Sequence, residues 1–324
     1  MAIFFRWTAI YVALGAIFVL VVRDDPMLKL EQMVASVPGM FSRFWHLAWW
    51  ILIPLAAIAV TQWNKGFRER VPAIVGTFFA CSAISVIFPM VKSALPLVND
   101  FWADPLFAQM DRVLHLGVDP WRLTHAEWIA FPAVYADVLY VGLWVIPAIY
   151  FPLLLSFFDP NTKRVARYSL YYLFILFFLG NVLAGLFMSA GPIYYDRLLS
   201  GSDFAELLAS LEARGITESS TGVLHERLWA AYSQSAQEFG SGISAFPSVH
   251  VAMTALFAFY ITEISRRFLP VAVVTVVVFQ FLSVYLAWHY AVDGYFSIVL
   301  VAVMWALTRK MGQQTNVATQ LTTT

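Results

Sequence analysis

The sequence predicts an all-α integral membrane protein with about eight transmembrane helices. Three observations predict it. The 324 residues are 60% hydrophobic and only 12% charged, with a mean hydropathy of +0.72, far from the balance of soluble domains. The apolar residues gather in eight runs, each near the ~20 residues a helix needs to cross a hydrocarbon core of about 30 Å. The cations, finally, collect in alternate short connections between those runs. Lys+Arg and Asp+Glu balance at 20 each and form no basic tract, so nothing points to nucleic acid. The single cysteine, Cys81, excludes an intrachain disulfide.

In chain order the runs are 3–22, 46–63, 72–95, 134–157, 168–190, 247–264, 269–287 and 289–308. The first places Arg6 before an apolar stretch, like a secretory signal, but has no small-residue cleavage site before VVRDDP and reads as retained. Lys65, Arg68 and Arg70 follow the second run, Lys163, Arg164 and Arg167 the fourth, Arg266 and Arg267 the sixth, and Arg309 and Lys310 the eighth. Half of the cations therefore lie on one side, which the positive-inside rule makes cytoplasmic, with both termini on that side. The opposite face carries the longer segments 23–45, 96–133 and 191–246. In the last of these, FAELLASLEARG and HERLWAAYSQSAQEF are patterned as short amphipathic helices suited to a membrane surface. The polar tail GQQTNVATQLTTT has no core pattern and is expected to be disordered. This gives an N-terminal extension over 1–71, a membrane core over 72–310 and a cytoplasmic tail over 311–324.

Two polar clusters stand at the outer ends of apolar runs. In GISAFPSVH, Pro247 suits the first position of a helix, where its missing N–H is not needed. Ser248 and His250 follow in the first turn, among free amides and the positive end of the helix dipole, where an anion such as phosphate is favoured. In YLAWHYAVDGYFS, His289 and Asp293 are four apart, the spacing that stacks two side chains on one helix face. The charge-derived topology brings His250, His289 and Asp293 to one depth. Together they suit phosphoryl transfer. Asp293 holds one nitrogen of His289 and the other attacks phosphorus, while His250 protonates the leaving oxygen and then serves as base for the acceptor. Helix amides and Ser248 steady the developing charge. The scheme needs no cofactor and no metal, and two histidines with one aspartate leave a zinc site short of ligands. Structural readings stand beside this one: an interfacial histidine is an ordinary anchor, and a His–Asp pair can simply join helices. Ionisable residues inside a membrane are costly, which favours a functional role. His46, His115, His125 and His225 receive no role.

FPSVH followed by HYAVD resembles the second and third signature motifs of the phosphatidic acid phosphatase type 2 superfamily, Pro-Ser-Gly-His and His-x-x-x-Asp. The resemblance implies a six-helix catalytic core over about 72–308 with two additional N-terminal helices. It also implies His289 as nucleophile, Asp293 as its partner and His250 as acid. The departures are specific: Val249 replaces the glycine, Ser283 stands where an arginine is expected, and Lys-x6-Arg-Pro is absent, KSALPLV at 92–98 keeping only a lysine and a later proline. These losses resemble the inositol phosphorylceramide synthase branch and its bacterial relatives, as do SAGPIYYDR at 189–197 and DPLFAQMDRVLHLGVDPW at 104–121. The implied partners are membrane lipids as donor and acceptor, in a bacterial inner membrane with the site facing the periplasm. Replacement phosphate cations are sought in Lys92, Arg112 and Arg197, each of which could instead be a snorkelling interfacial cation. Asp137 is expected to pair with one of them or to bind an acceptor hydroxyl, and Tyr194 and Tyr195 to touch a headgroup, although interfacial tyrosines are common. A lipid phosphate phosphatase, a proton-coupled transporter and an inactive lipid-binding protein are the alternatives.

Overall fold

A computed structural model describes residues 1–48, 53, 56–57, 60–61, 66–129, 131–237 and 240–322. The regular structure of the described residues is entirely helical, with no strand among them. The long helices are α1 (Ala2–Val22), α2 (Pro26–Ala48), α3 (Arg68–Ala94), α4 (Asp104–Leu114), α5 (Trp144–Phe158), α6 (Thr162–Phe174), α7 (Ala205–Ala213), α8 (Ser220–Ser233), α9 (Val249–Ile264), α10 (Leu269–Tyr285) and α11 (Ala291–Thr322). Among the described residues five helices are long and apolar enough to cross a membrane, and a bent pair, Ala133–Leu143 with Pro147–Phe158, makes a sixth if it counts as one span. The protein is thus an integral membrane protein.

The bent span turns through 52°. Pro147 lacks the N–H that its turn requires, Tyr150 departs from helical angles, and Val138–Leu143 just before runs as a π-helix. A second π-helical stretch, Ile175–Leu183, continues α6. α9 has 16 residues, short of a full crossing by itself. It starts at Val249 with Ser248 as N-cap, so Pro247 lies before the helix and not at its first position.

Three other segments gain definition. α2 occupies most of segment 23–45, and its start is pinned by Lys29 Nζ donating to the Ser235 carbonyl at 2.6 Å and Arg23 donating to Ser93 Oγ at 2.9 Å. The tail beyond 310 continues the helix of α11 to Thr322, with no proline to stop it. α7 and α8 are helices as patterned, but α7 buries Leu207 and Leu211 against the body of the protein. The span expected over 46–63 lies mostly outside the described residues.

Two large apolar cores result, with a small third cluster of Leu95, Ala184 and Met188. One packs α1, α3, α5, α6 and α9 along their lengths, with Tyr168, Tyr172, Ile84 and Met253 fully buried. The other lies at one end and joins α4, the 187–195 turn, α7 and the α10–α11 connection through Phe107, Phe246, Tyr285 and Tyr290. The cations of the short connections meet at the opposite end: Arg164 pairs with Asp159, Arg167 with Glu263, and Arg70 donates to the Phe157 carbonyl.

Candidate active site

A cavity of about 370 Å³ opens where the two cores meet. Its polar wall holds Lys92, Tyr194, His250, Trp288 and His289, while Ile84, Phe88, Trp144, Ala148, Leu176 and Met253 give it an apolar depth. α3 delivers Lys92 from its last turn, α9 delivers His250 from its first, and the α10–α11 connection delivers His289.

His250 is wedged between two aromatic rings. Tyr140 stacks on it at 4.6 Å and 7°, and Trp144 on its other face at 3.8 Å and 20°. Trp144 also donates its indole N–H to the His250 carbonyl at 3.3 Å. The ring of His289 stands 6.2 Å away at 60°. Among the described residues neither ring nitrogen of His250 has a side-chain or backbone partner.

His289 does not share a helix with Asp293. It lies in the connection before α11, and its Nδ1 is 3.4 Å from Asp293 Oδ2. The pair still meets, because Asp293 is the third residue of α11 and its carboxylate reaches back over the helix start. There it also accepts the Tyr290 amide at 3.1 Å, one half of a capping box. The His289 amide in turn donates to the Ser283 carbonyl at 3.2 Å. Ser283 is fully buried and turns its hydroxyl to the Gln280 carbonyl, so no charge comes from that position. Val249, at the other departure, is buried and lines the cavity.

Of the expected phosphate contacts, the structure brings Lys92 and Tyr194 to the cavity and leaves the others elsewhere. Tyr194 donates its hydroxyl to the His225 carbonyl at 2.9 Å. Ser248 is buried outside the cavity wall and accepts the Val251 amide as helix cap. Arg112 binds Asp119 at 2.7 Å, which holds its guanidinium above the ordinary range. Arg197 is paired with Glu226 and lies over the Trp229 ring. Among the described residues Asp137 pairs with no cation: it takes the Ser220 amide at 2.7 Å and the Thr221 amide at 3.1 Å, and so caps α8. Tyr195 packs against Phe204, away from the cavity.

Sequence reasoning missed Tyr140, Trp144 and Trp288 in the wall, and two carboxylates behind it. Asp104 and Asp111 are buried, seven apart on one face of α4. Burial pushes the Asp111 carboxyl up to about 6 against the pull of two backbone amides. His225, also given no role, lies with its ring 4.1 Å from that of Trp288. Burial, with Arg197 nearby, pushes it down to about 3.

The family profile described as the PAP2 superfamily matches residues 106–307, well over half of the chain, and covers both histidines and Asp293. The chain belongs to the PAP2 superfamily. No curated protein and no solved structure matches it. Membership in a superfamily whose members are generally phosphatases gives this membrane protein a phosphatase-type, lipid-related function.

Proposed function

We propose that this PAP2 protein is a lipid phosphotransferase that moves a phospho-headgroup between membrane lipids through a phosphohistidine. The observation that carries the reading is the charge of the cavity wall: among the described residues that line it, Lys92 is the one Lys or Arg beside two histidines. A phosphodiester lipid carries one negative charge, whereas a phosphomonoester carries close to two at neutral pH. One lysine, with no arginine cradle, suits the diester. The apolar depth suits an acyl chain.

In the first step the Nε2 lone pair of His289 forms an N–P bond. The P–O bond to the donor's diacylglycerol breaks, and the leaving oxygen takes its proton from His250. Asp293, at Nδ1, keeps that nitrogen protonated and offsets the positive charge the ring acquires on phosphorylation. In the second step the acceptor hydroxyl, of a ceramide or a diacylglycerol-type lipid, gives its proton to His250. Its oxygen forms the new P–O bond and the N–P bond breaks. By resemblance to the inositol phosphorylceramide synthase branch the headgroup is phosphoinositol. The charge pattern of the connections supports cytoplasmic termini and a periplasmic site in a bacterial inner membrane.

The test uses full-length protein in lipid nanodiscs with radiolabelled phosphatidylinositol or phosphatidic acid, with and without ceramide or diacylglycerol. A new labelled lipid is expected. Free phosphate or free headgroup alone makes the protein a hydrolase. An alkaline quench should trap label on the protein, and His289→Ala should remove the label and lower turnover by about 10³-fold or more. Absence of turnover on every donor overturns the reading.

A further inference from the structure

Two stretches singled out in the sequence, 104–121 and 189–197, contribute nothing to the cavity's chemistry apart from Tyr194. They meet each other through Asp104. One carboxylate oxygen of Asp104 accepts the Ser189 hydroxyl at 3.0 Å and the Gly191 amide at 2.9 Å, and the other accepts the Ala190 amide at 2.8 Å. The Tyr290 hydroxyl donates to the same side chain at 3.0 Å. Two turns along α4, Asp111 accepts the Ala291 amide at 2.7 Å and the Val292 amide at 2.9 Å. Asp104 therefore ties the 189–191 turn to Tyr290, and Asp111 holds Ala291 and Val292, so the two side chains together reach all three residues between His289 and Asp293.

The 189–191 turn presses the same connection from the other side. Gly191 has φ +91, and a Cβ there would lie 2.5 Å from the Trp288 carbonyl oxygen, so only glycine lets the turn approach this closely. The Ile193 amide donates to the Ala287 carbonyl at 3.2 Å. Residues 287–292 are therefore held from both sides by groups outside the cavity's polar wall, and Trp288 and His289 are the members of that run that line it.

The first amides of α11 are thereby assigned. Asp293 takes that of Tyr290, and Asp111 takes those of Ala291 and Val292. A helix N-terminus with its leading amides bonded to carboxylates does not serve as an anion site. A buried ionised carboxylate accepting two amides is a stronger and more directional tie than a neutral cap, and α4 sets the spacing of both ties by its own pitch, since seven residues rise about 10 Å.

We propose that Asp104 and Asp111 are positioning residues: α4 uses them as a two-point clamp that fixes the 288–293 connection, and with it the reach of His289 toward the cavity. The kinetic part of this proposal rests on His289 being the nucleophile; the structural part does not.

The experiment uses the full chain in nanodiscs and the variants Asp104→Asn and Asp111→Asn. An asparagine keeps the shape but sets an NH2 against one of the donors. Hydrogen exchange should rise about tenfold or more in peptides covering 286–293, with peptides from α6 and α9 unchanged. With labelled phosphatidylinositol as donor, turnover should fall about 10- to 100-fold while KM stays within about twofold, the signature of a misaimed group in a formed binding site. Combined with Asp293→Asn, the loss should be less than the product of the two separate losses, because both act through His289. Tyr290→Phe removes one bond and leaves both carboxylates. It should raise exchange in the same peptides by a smaller factor, and it decides the matter if the Asn variants do not fold. Unchanged exchange over 286–293 overturns the clamp whether or not the protein turns over any lipid. A protein that shows the exchange change but no turnover keeps the clamp and loses the proposed reaction.

Discussion

The two ends of the molecule satisfy their charges in different ways. At the basic end, cations meet carboxylates directly. Arg164 binds Asp159 through Nε at 2.6 Å and Nη2 at 2.8 Å, and Arg167 binds Glu263. Burial of Asp159 pushes its carboxyl up, but Arg164 and the Asn161 amide outweigh this and hold it below the usual range. At the site end the carboxylates of Asp104, Asp111, Asp137 and Asp293 are met chiefly by backbone amides and hydroxyls. Negative charge there is spread over neutral dipoles, which cost no cation. The consequence is that Lys92 reaches the cavity with no ion pair among the described residues. The basic end uses its positive charge to hold the fold; at the site end Arg112, Arg122 and Arg197 pair with carboxylates, and Lys92 is left facing the cavity.

The largest effect that tests this contrast comes from Lys92. Lys92→Met should lower kcat/KM by about 10²- to 10³-fold, since it removes the one cation available to the phosphate. The thermal midpoint should hold or rise, because a half-buried charge without an ion pair among the described residues is lost. A destabilised variant with normal turnover would make Lys92 a structural residue and erase the contrast.

Next comes Arg164→Met. It strands Asp159, whose side chain is only 1% exposed, and should cost about 3 kcal/mol of stability, read as a lower midpoint in detergent denaturation. Activity per folded molecule should be unchanged. Lost activity in a fully folded variant would show that the basic end acts on the site.

The smallest effect concerns His225. A histidine held near 3 in the fold, against an ordinary value of 6.5, binds its proton only on unfolding. Stability is therefore full above pH 6.5 and falls as pH drops toward 3, by at most about 1.4 kcal/mol per pH unit. His225→Gln should flatten that acid slope without altering stability at pH 7.5. An unchanged slope would assign it to another group.

Much of the site was legible because its signals are local. His250 follows Pro247 within three residues, His289 and Asp293 are four apart, and Lys92 ends an apolar run. The residues misjudged depend on pairings that no spacing announces. Asp137 finds its partners more than eighty residues away at the start of α8, Arg197 finds Glu226, and Arg112 is taken by Asp119. Asp104 and Asp111 did leave a trace, since Asp104, Phe107, Ala108 and Asp111 form one helix face. Only the fold shows four backbone amides and two hydroxyls waiting for them in the interior. The π-helical turns at 138–143 and 175–183 left no signal, because the residues of an α-helix and a one-turn widening are the same.

The wedging of His250 between Tyr140 and Trp144 carries a kinetic consequence. A ring gripped on both faces does not swing between two proton partners, so in the proposed transfer the alcohol that leaves and the alcohol that arrives would be served by one nitrogen at one place. They would then take turns. The proposed half-reactions should follow a ping-pong order, with the first product and the second substrate excluding one another, and an excess of the departing alcohol should reverse the first of them.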